Sequence, residues 1–204
     1  KEVQEFLLNS ISEHYPDHGV IGEEDADEED SVAPDWVWVL DPLDGTKNFL
    51  SGLPMFSSSI GVLHRGVPVV GALYVSWPNQ SSGFVMHARM GGGAFLEDET
   101  ISVLQTDEPH ASLLATLPGV FSAIYRFRKP MRGKTGEVRT TGSIAFDMAM
   151  MAKGALQYSV TNAPQLWDAA GGVVLVREAG GAVMVGRSSG RRRLLSSGRL
   201  SWEP

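Results

Sequence analysis

The sequence predicts an α+β first half followed by an α/β layer. Three observations carry that reading. Residues 1–15 set Val3, Leu7 and Ile11 at helical spacing. From residue 36 to 103 the chain runs through short β-branched segments separated by turn residues. Beyond residue 112 strand-like segments alternate with helical ones, the pattern of a strand–helix–strand layer.

The first helix, with Phe6 and Leu8 beside its apolar stripe, stops at Pro16, which has no N–H to continue it. His14 and His18 stand at the spacing of a helical metal pair, but Pro16 lies between them, so a metal role is set aside. Residues 36–40 (WVWVL) are wholly apolar and rich in β-formers, a buried strand. Residues 57–63 and 67–75 read as strands joined by a hairpin at His64-Arg65-Gly66. Segments 83–88, 94–96 and 101–103 continue an antiparallel meander. In the second half, 112–116 and 138–140 are strands. Ile144, Met148, Met151 and Ala155 mark one face of a helix, read as core rather than as a binding surface. A strand at 156–161, a helix at 168–179 and a strand at 182–185 follow. The polar stretch 104–111 divides a 1–107 half from a 108–204 half. The Gly/Ser/Arg-rich tail 186–204 is expected to be poorly ordered.

A length of 204 residues fits one domain or two tightly joined halves, and 43% hydrophobic against 20% charged residues supplies an ordinary globular core. No run reaches the ~18 apolar residues of a membrane span, and no secretory leader is visible. No membrane partner is therefore expected. The absence of cysteine excludes disulfide frameworks, zinc–thiolate sites and thiol nucleophiles, and fits a reducing compartment. The reading is cytoplasmic, with an organellar stroma or matrix as the alternative. A net charge of −7 argues against a nucleic-acid partner. The acidic run from Glu23 to Asp30 and the basic residues Arg126, Arg128, Lys129, Arg132, Lys134 and Arg191 to Arg193 read first as solvated loops. Part of the acidic run escapes that reading.

Several familiar signals fail. Gly133-Lys134-Thr135 ends like a phosphate-binding loop, but position 128 is Arg where glycine is required. Gly91-Gly92-Gly93 lacks dinucleotide spacing, and Asp41, Asp44 and Gly45 do not follow the calcium-loop pattern.

Residues 41–49 are different. A strand leaving the core delivers Asp41 to its end, and Pro42 stiffens the turn. Asp44 can then face the same side, with the Leu43 carbonyl between them. Gly45-Thr46 starts a short helix whose free N–H groups suit an anion. Carboxylates beside such a start would repel a phosphate unless cations lie between, and hard oxygen donors select Mg²⁺, Mn²⁺ or Ca²⁺. The competing reading is that Asp41 caps a turn and Asp44 caps the helix. On this stretch alone both stay open.

Asp41-Pro42-Leu43-Asp44-Gly45-Thr46-Lys47-Asn48-Phe49 resembles the DPxDGTxxF motif of the inositol monophosphatase family. Trp167-Asp168-Ala169-Ala170-Gly171 is similar to its WDxAAG signature, and Gly22-Glu23-Glu24 to its GEE element. The likeness covers most of residues 1–185. It implies a layered αβαβα sandwich, a homodimer, and lithium-sensitive hydrolysis of phosphate monoesters with two or three Mg²⁺ ions. By the same resemblance Glu23, Asp41 and the Leu43 carbonyl hold the first metal, and Asp41, Asp44 and Asp168 the second. Thr46 with Glu23 orients the attacking water. The Gly45 and Thr46 N–H groups hold phosphate, and Gly142-Ser143-Ile144 matches a substrate-contacting G-[ST]-A turn, with Ile144 for the usual Ala. Glu24 matches the second acid of GEE.

Against the family pattern the chain looks shortened at both termini, and it diverges after Val185. Residues 161–166 lack the Glu that inositol-preferring members place there. The leading expectation is thus hydrolysis of a small phosphorylated polyol or sugar. A nucleotide 3′-phosphatase or a fructose-1,6-bisphosphatase is the alternative within the same chemistry. A non-catalytic relic that binds metal or a partner is the alternative of another class.

Overall fold

Helix α1 (Glu2–His14) opens the fold, and it buries Gln4 and Ile11. The computed structural model describes residues 2–23, 34–78, 80–124, 126–127, 129–186 and 192–194. A seven-stranded sheet follows in chain order: β1 (Gly19–Gly22), β2 (Trp36–Asp44), β3 (Ser57–His64), β4 (Val67–Trp77), β5 (Gln80–Arg89), β6 (Gly93–Leu96) and β7 (Glu99–Thr100). β1 runs parallel to β2, and every later pairing is antiparallel. Arg65 and Gly66, both at positive φ (51° and 76°), make the β3–β4 turn. Two left-handed residues twist a hairpin in the sense its strands require.

Two strand expectations change in this sheet. β1 was not anticipated, because two apolar residues between glycines show no alternation; pairing with β2 makes it a strand. Residues 101–103 form no strand. Ile101 N still bonds the Ala94 carbonyl, but Val103 N turns to the Ala179 carbonyl at the end of a helix.

After β2 comes the short helix α2 (Thr46–Leu50). The second half contains β8 (Leu114–Thr116), α3 (Phe121–Ile124), β9 (Glu137–Arg139), α4 (Ile144–Ala152), β10 (Tyr158–Ser159) and α5 (Leu166–Glu178). β10, β8 and β9 form a parallel three-stranded sheet in that order. The strand expected over 156–161 is therefore only two residues long. β11 (Met184–Gly186) pairs with β12 (Arg192–Leu194). The expected poor order of the tail falls mostly outside the described residues.

Val37, Val39 and Leu63 pack on Ala170 of α5, whereas Trp38 meets Tyr15 and His18 beyond the end of α1 on the opposite face. α4 packs on α5 and reaches β10. The layers thus run α1, large sheet, α4 with α5, small sheet. The main core joins Leu73, Val75 and Met86 of the sheet to Phe146, Ala149 and Leu175 of the two helices. Each fully buried aliphatic there contributes ~1.5–3 kcal/mol. In α4 the most buried residues are Ala145, Phe146, Ala149, Met150 and Ala152, so the core face is rotated from the expected one. Met148 still packs inward, its thioether against Gly172 of α5. The histidine pair does not form. His14 bonds the Ser10 carbonyl, while His18 accepts from Trp38 Nε1 at 3.0 Å and stacks on Tyr15 and Trp36.

Candidate metal centre

Side chains alternate along a strand, so Asp41 and Asp44, three residues apart, should point to opposite faces. A bulge prevents this. Asp41 pairs with Ser59 and Asp44 with Ser57, so three steps on β2 match two on β3. The extra residue puts both carboxylates on one face of the sheet. Residues 42–44 are consequently the irregular end of β2 rather than a separate turn. Pro42, which cannot donate to a ladder, sits inside the irregularity, and its carbonyl accepts from the Ser58 hydroxyl at 2.7 Å.

Asp168 arrives on α5. The helix begins at Leu166, two residues before the expected start, with Gln165 as its N-cap and Asp168 in its first turn. Each of Asp41, Asp44 and Asp168 offers a carboxylate oxygen, and the three oxygens lie within 4.8 Å of one another. In each carboxylate one oxygen is already committed. Leu43 N donates to Asp41 Oδ1 at 3.0 Å, and Gln165 N donates to Asp168 Oδ2 at 2.8 Å. Asp44 Oδ2 accepts from Ser143 Oγ at 2.7 Å and from Ala145 N at 2.6 Å. These bonds fix the rotation of each carboxylate and leave the other oxygen for a ligand.

Among the described residues, no opposite charge balances the cluster. Asp41 is only 2% exposed. Burial, followed by the charges of Asp44 and Glu23, pushes its carboxyl up to about 8, against a lowering bond from Leu43 N. Burial likewise raises Asp44 to about 6, although Ser143 and Ala145 pull it down. Asp168 is raised by burial, and the bond from Gln165 N opposes this. Three acids driven together with no basic side chain among their described bonds are the donor set that a hard divalent cation neutralises. Ser57 and Ser59, on the same strand face and buried, have hydroxyls with no partner among the described residues. Residues and cation fit.

The remaining expected residues take these places. Glu23 is exposed and lies one step beyond the end of β1, which pairs Gly22 with Leu40 beside Asp41. Glu24 lies outside the described residues. Gly45 adopts φ 86° at the head of α2, a left-handed conformation that a side chain would strain. The Thr46 hydroxyl donates to the Leu43 carbonyl at 2.9 Å. Gly142 turns at φ 83°. Ser143 caps α4, accepting from Phe146 N at 3.1 Å while donating to Asp44, and Ile144 is the first, half-buried residue of that helix. Of the basic residues, Lys134 pairs with Glu108, and Arg139 with Glu137.

Sequence reasoning missed Ser143 and Ala145 as partners of Asp44, and it gave no role to Asn48, Thr141 or Asp147. One signal was available: Asp147 is the sole charged residue in the apolar run 144–152, and a buried acid needs partners.

Carboxylates gathered at a strand end, beside a helix start and under a second helix's first turn, form a candidate site for a hard divalent cation. The sequence profile of the Inositol monophosphatase family matches residues 1–202, and the chain belongs to that family. Its members are phosphoric monoester hydrolases that act on small phosphorylated substrates and depend on metal. The chain is 35% identical over 184 residues to Phosphatase IMPL1, chloroplastic, of Arabidopsis thaliana, covering 87% of this chain and 49% of the relative. It is 32% identical over 186 residues to the fructose-1,6-bisphosphatase/inositol-1-monophosphatase of Thermotoga maritima, covering 90% and 68%. The chain thus spans about half the length of the first relative and about two thirds of the second. Inositol monophosphatase II from Staphylococcus aureus superposes with a TM-score of 0.77 at 28% identity, covering 95% of this chain and 71% of that one. The layered sandwich is the fold of these neighbours. No helix among the described residues is long and apolar enough to cross a membrane.

Proposed function

We propose that this chain hydrolyses small phosphate monoesters with Mg²⁺ as cofactor. The observation that carries the reading is the convergence of Asp41, Asp44 and Asp168, each with one oxygen pinned and the other without a hydrogen bond among the described residues. Glu23, Asp41 and the Leu43 carbonyl would hold one cation, and Asp41, Asp44 and Asp168 a second; the family resemblance allows a third. Divalent ions at such a site supply acidity to the attacking water and charge stabilisation to the leaving alkoxide.

The protein's own groups do the positioning. Thr46 gives its proton to the Leu43 carbonyl, so its oxygen is left as an acceptor that, with Glu23, would align a water. The Gly45 and Thr46 N–H groups would face the phosphate. Ser143 is already engaged by Asp44 and Phe146 N, so contact with the alcohol would fall to Gly142 and Ile144. Lithium sensitivity and a homodimer belong to the same reading. The lack of cysteine fits a reducing compartment, the cytoplasm or an organellar stroma or matrix.

Substrate choice should be broad. Phosphate and metal are common to every substrate and cannot discriminate, whereas a site built to bond hydroxyls can reject analogues by ~10⁴-fold. Residues 161–166 contain no carboxylate for that purpose. A related staphylococcal enzyme has structures with inositol monophosphate and with 2′-AMP bound. The test is kcat/KM, with and without Mg²⁺, for inositol 1-phosphate, glycerol 2-phosphate, fructose 1,6-bisphosphate and a nucleoside 3′,5′-bisphosphate. We expect Mg²⁺-dependent turnover of several of them. No turnover of any would overturn the reading, and a preference above about a hundredfold, some 2.7 kcal/mol, would overturn the broad specificity.

A further inference from the structure

Asp147 is a buried acid that the proposed chemistry does not use. It is 8% exposed, on a helix whose other buried residues are apolar. Three hydroxyls converge on its carboxylate. Thr141 Oγ1 donates to Oδ1 at 2.6 Å, and Thr116 and Ser159, from the ends of β8 and β10, lie within bonding reach of it and of each other. Thr141 is held a second time, by its carbonyl, which accepts from Asn48 Nδ2 at 2.7 Å. The same amide nitrogen donates to the Met55 carbonyl at 2.6 Å, so both its protons are used. The chain then turns at Gly142 against the Asn48 side chain, and Ser143 Oγ and Ala145 N grip Asp44 Oδ2. Asn48 itself follows Asp44 by four residues, across the start of α2. The contacts therefore close a ring: Asp44, α2, Asn48, Thr141, Ser143 and back to Asp44, with Asp147 anchoring Thr141 from the core.

We propose that Asn48, Thr141 and Asp147 are positioning residues that hold the Ser143 turn, and through it the free oxygen of Asp44, in place for the metal. This rests on the metal reading above. The physical reason is repulsion. Asp44 stands beside Asp41 and Asp168, and a carboxylate held only by its own torsions would rotate away from two like charges. The paired bonds from Ser143 and Ala145 oppose that rotation only while the Thr141–Gly142–Ser143 turn keeps its place. Groups that orient metal ligands in this way typically account for 10–100-fold in affinity.

The experiment measures Mn²⁺ dissociation constants by electron paramagnetic resonance on the full chain, alongside melting temperatures. Thr141→Val keeps the volume and removes the hydroxyl, Thr141→Ser restores it, and Asn48→Ala removes the clamp from the other side. We expect Thr141→Val and Asn48→Ala to weaken Mn²⁺ binding by about 10–100-fold and Thr141→Ser to stay close to the parent. Should Thr141→Val fail to fold, Asn48→Ala carries the same expectation. Folded Thr141→Val or Asn48→Ala that binds Mn²⁺ like the parent, with only a lowered melting temperature, would mean a purely structural role and overturn the proposal. So would Thr141→Ser binding as weakly as Thr141→Val. A parent that binds Mn²⁺ no better than Asp41→Asn overturns the metal reading itself, and this proposal with it.

Discussion

Asp41 concentrates the electrostatic cost of the site. It is buried at the end of a core strand, faces Asp44, Glu23 and Asp168, and has a single backbone N–H in compensation. A neutral amide of the same shape removes Asp41's share of the repulsion and one charged donor that a cation would use. We expect Asp41→Asn to melt at or above the parent's temperature in chelator, and to gain under ~1 kcal/mol from Mg²⁺ at a concentration that gives the parent ~2.7 kcal/mol. Glu23→Gln, at an exposed position beyond the end of β1, should show an intermediate gain. Thermal melts with and without Mg²⁺ decide both. Equal responses of the two variants would remove Asp41 from its central place. At this scale the sequence was informative about residue types. It could not say that one oxygen of each carboxylate is spent on a backbone N–H, because those N–H groups belong to a bulge, a helix cap and the start of a distant helix.

Among the elements, α5 matters most for the site, because it carries Asp168 and seals the large sheet. Its approach is set by glycines. A Cβ at Gly61 would stand 2.6 Å from the Ala170 Cβ, and one at Gly71 would collide with the Gly171 carbonyl. Backbone meets backbone there, so neither side can yield by changing a rotamer. Gly71→Ala should therefore cost ~1–3 kcal/mol from overpacking, read as a lower denaturant midpoint. Its Mg²⁺ affinity should fall as well, since pushing α5 off the sheet carries Asp168 away from Asp41 and Asp44. A lower midpoint with unchanged Mg²⁺ affinity would show that the N-terminus of α5 is held independently of this contact. The helical and hairpin segments were legible because each buries one face at a regular period. β1 and residues 101–103 were not, since their state depends on which backbone lies beside them.

For the whole molecule, cation binding should act as a fold stabiliser. The acids of β2 and α5 converge only in the folded chain, so a ligand they share favours the folded state. Mg²⁺ at about a hundred times its dissociation constant should add ~2.7 kcal/mol, or roughly 5–10 °C in melting temperature for a chain of this size. Chelator should reverse the shift, and calorimetric scans at several Mg²⁺ concentrations measure it. A melting temperature indifferent to Mg²⁺ would mean that the acids do not act as one site.

The division between local and long-range information follows from the same geometry. Residue order alone determined the helix at the start, the meander, the motif around Asp41 and the one around Asp168, because each is a pattern within a few turns or strands of chain. It also determined the hard-oxygen character of any metal site, since no cysteine is present and the acids stand in the motifs. Only the tertiary structure decided that Asp41 and Asp44 share a face, through a bulge that breaks the period of two. Only packing brought Asp168 to within 4.8 Å of them. Asn48, Thr141 and Asp147 became neighbours in the same way. Their side chains are ordinary in sequence, and their bonds run to partners that only the folded backbone brings within reach.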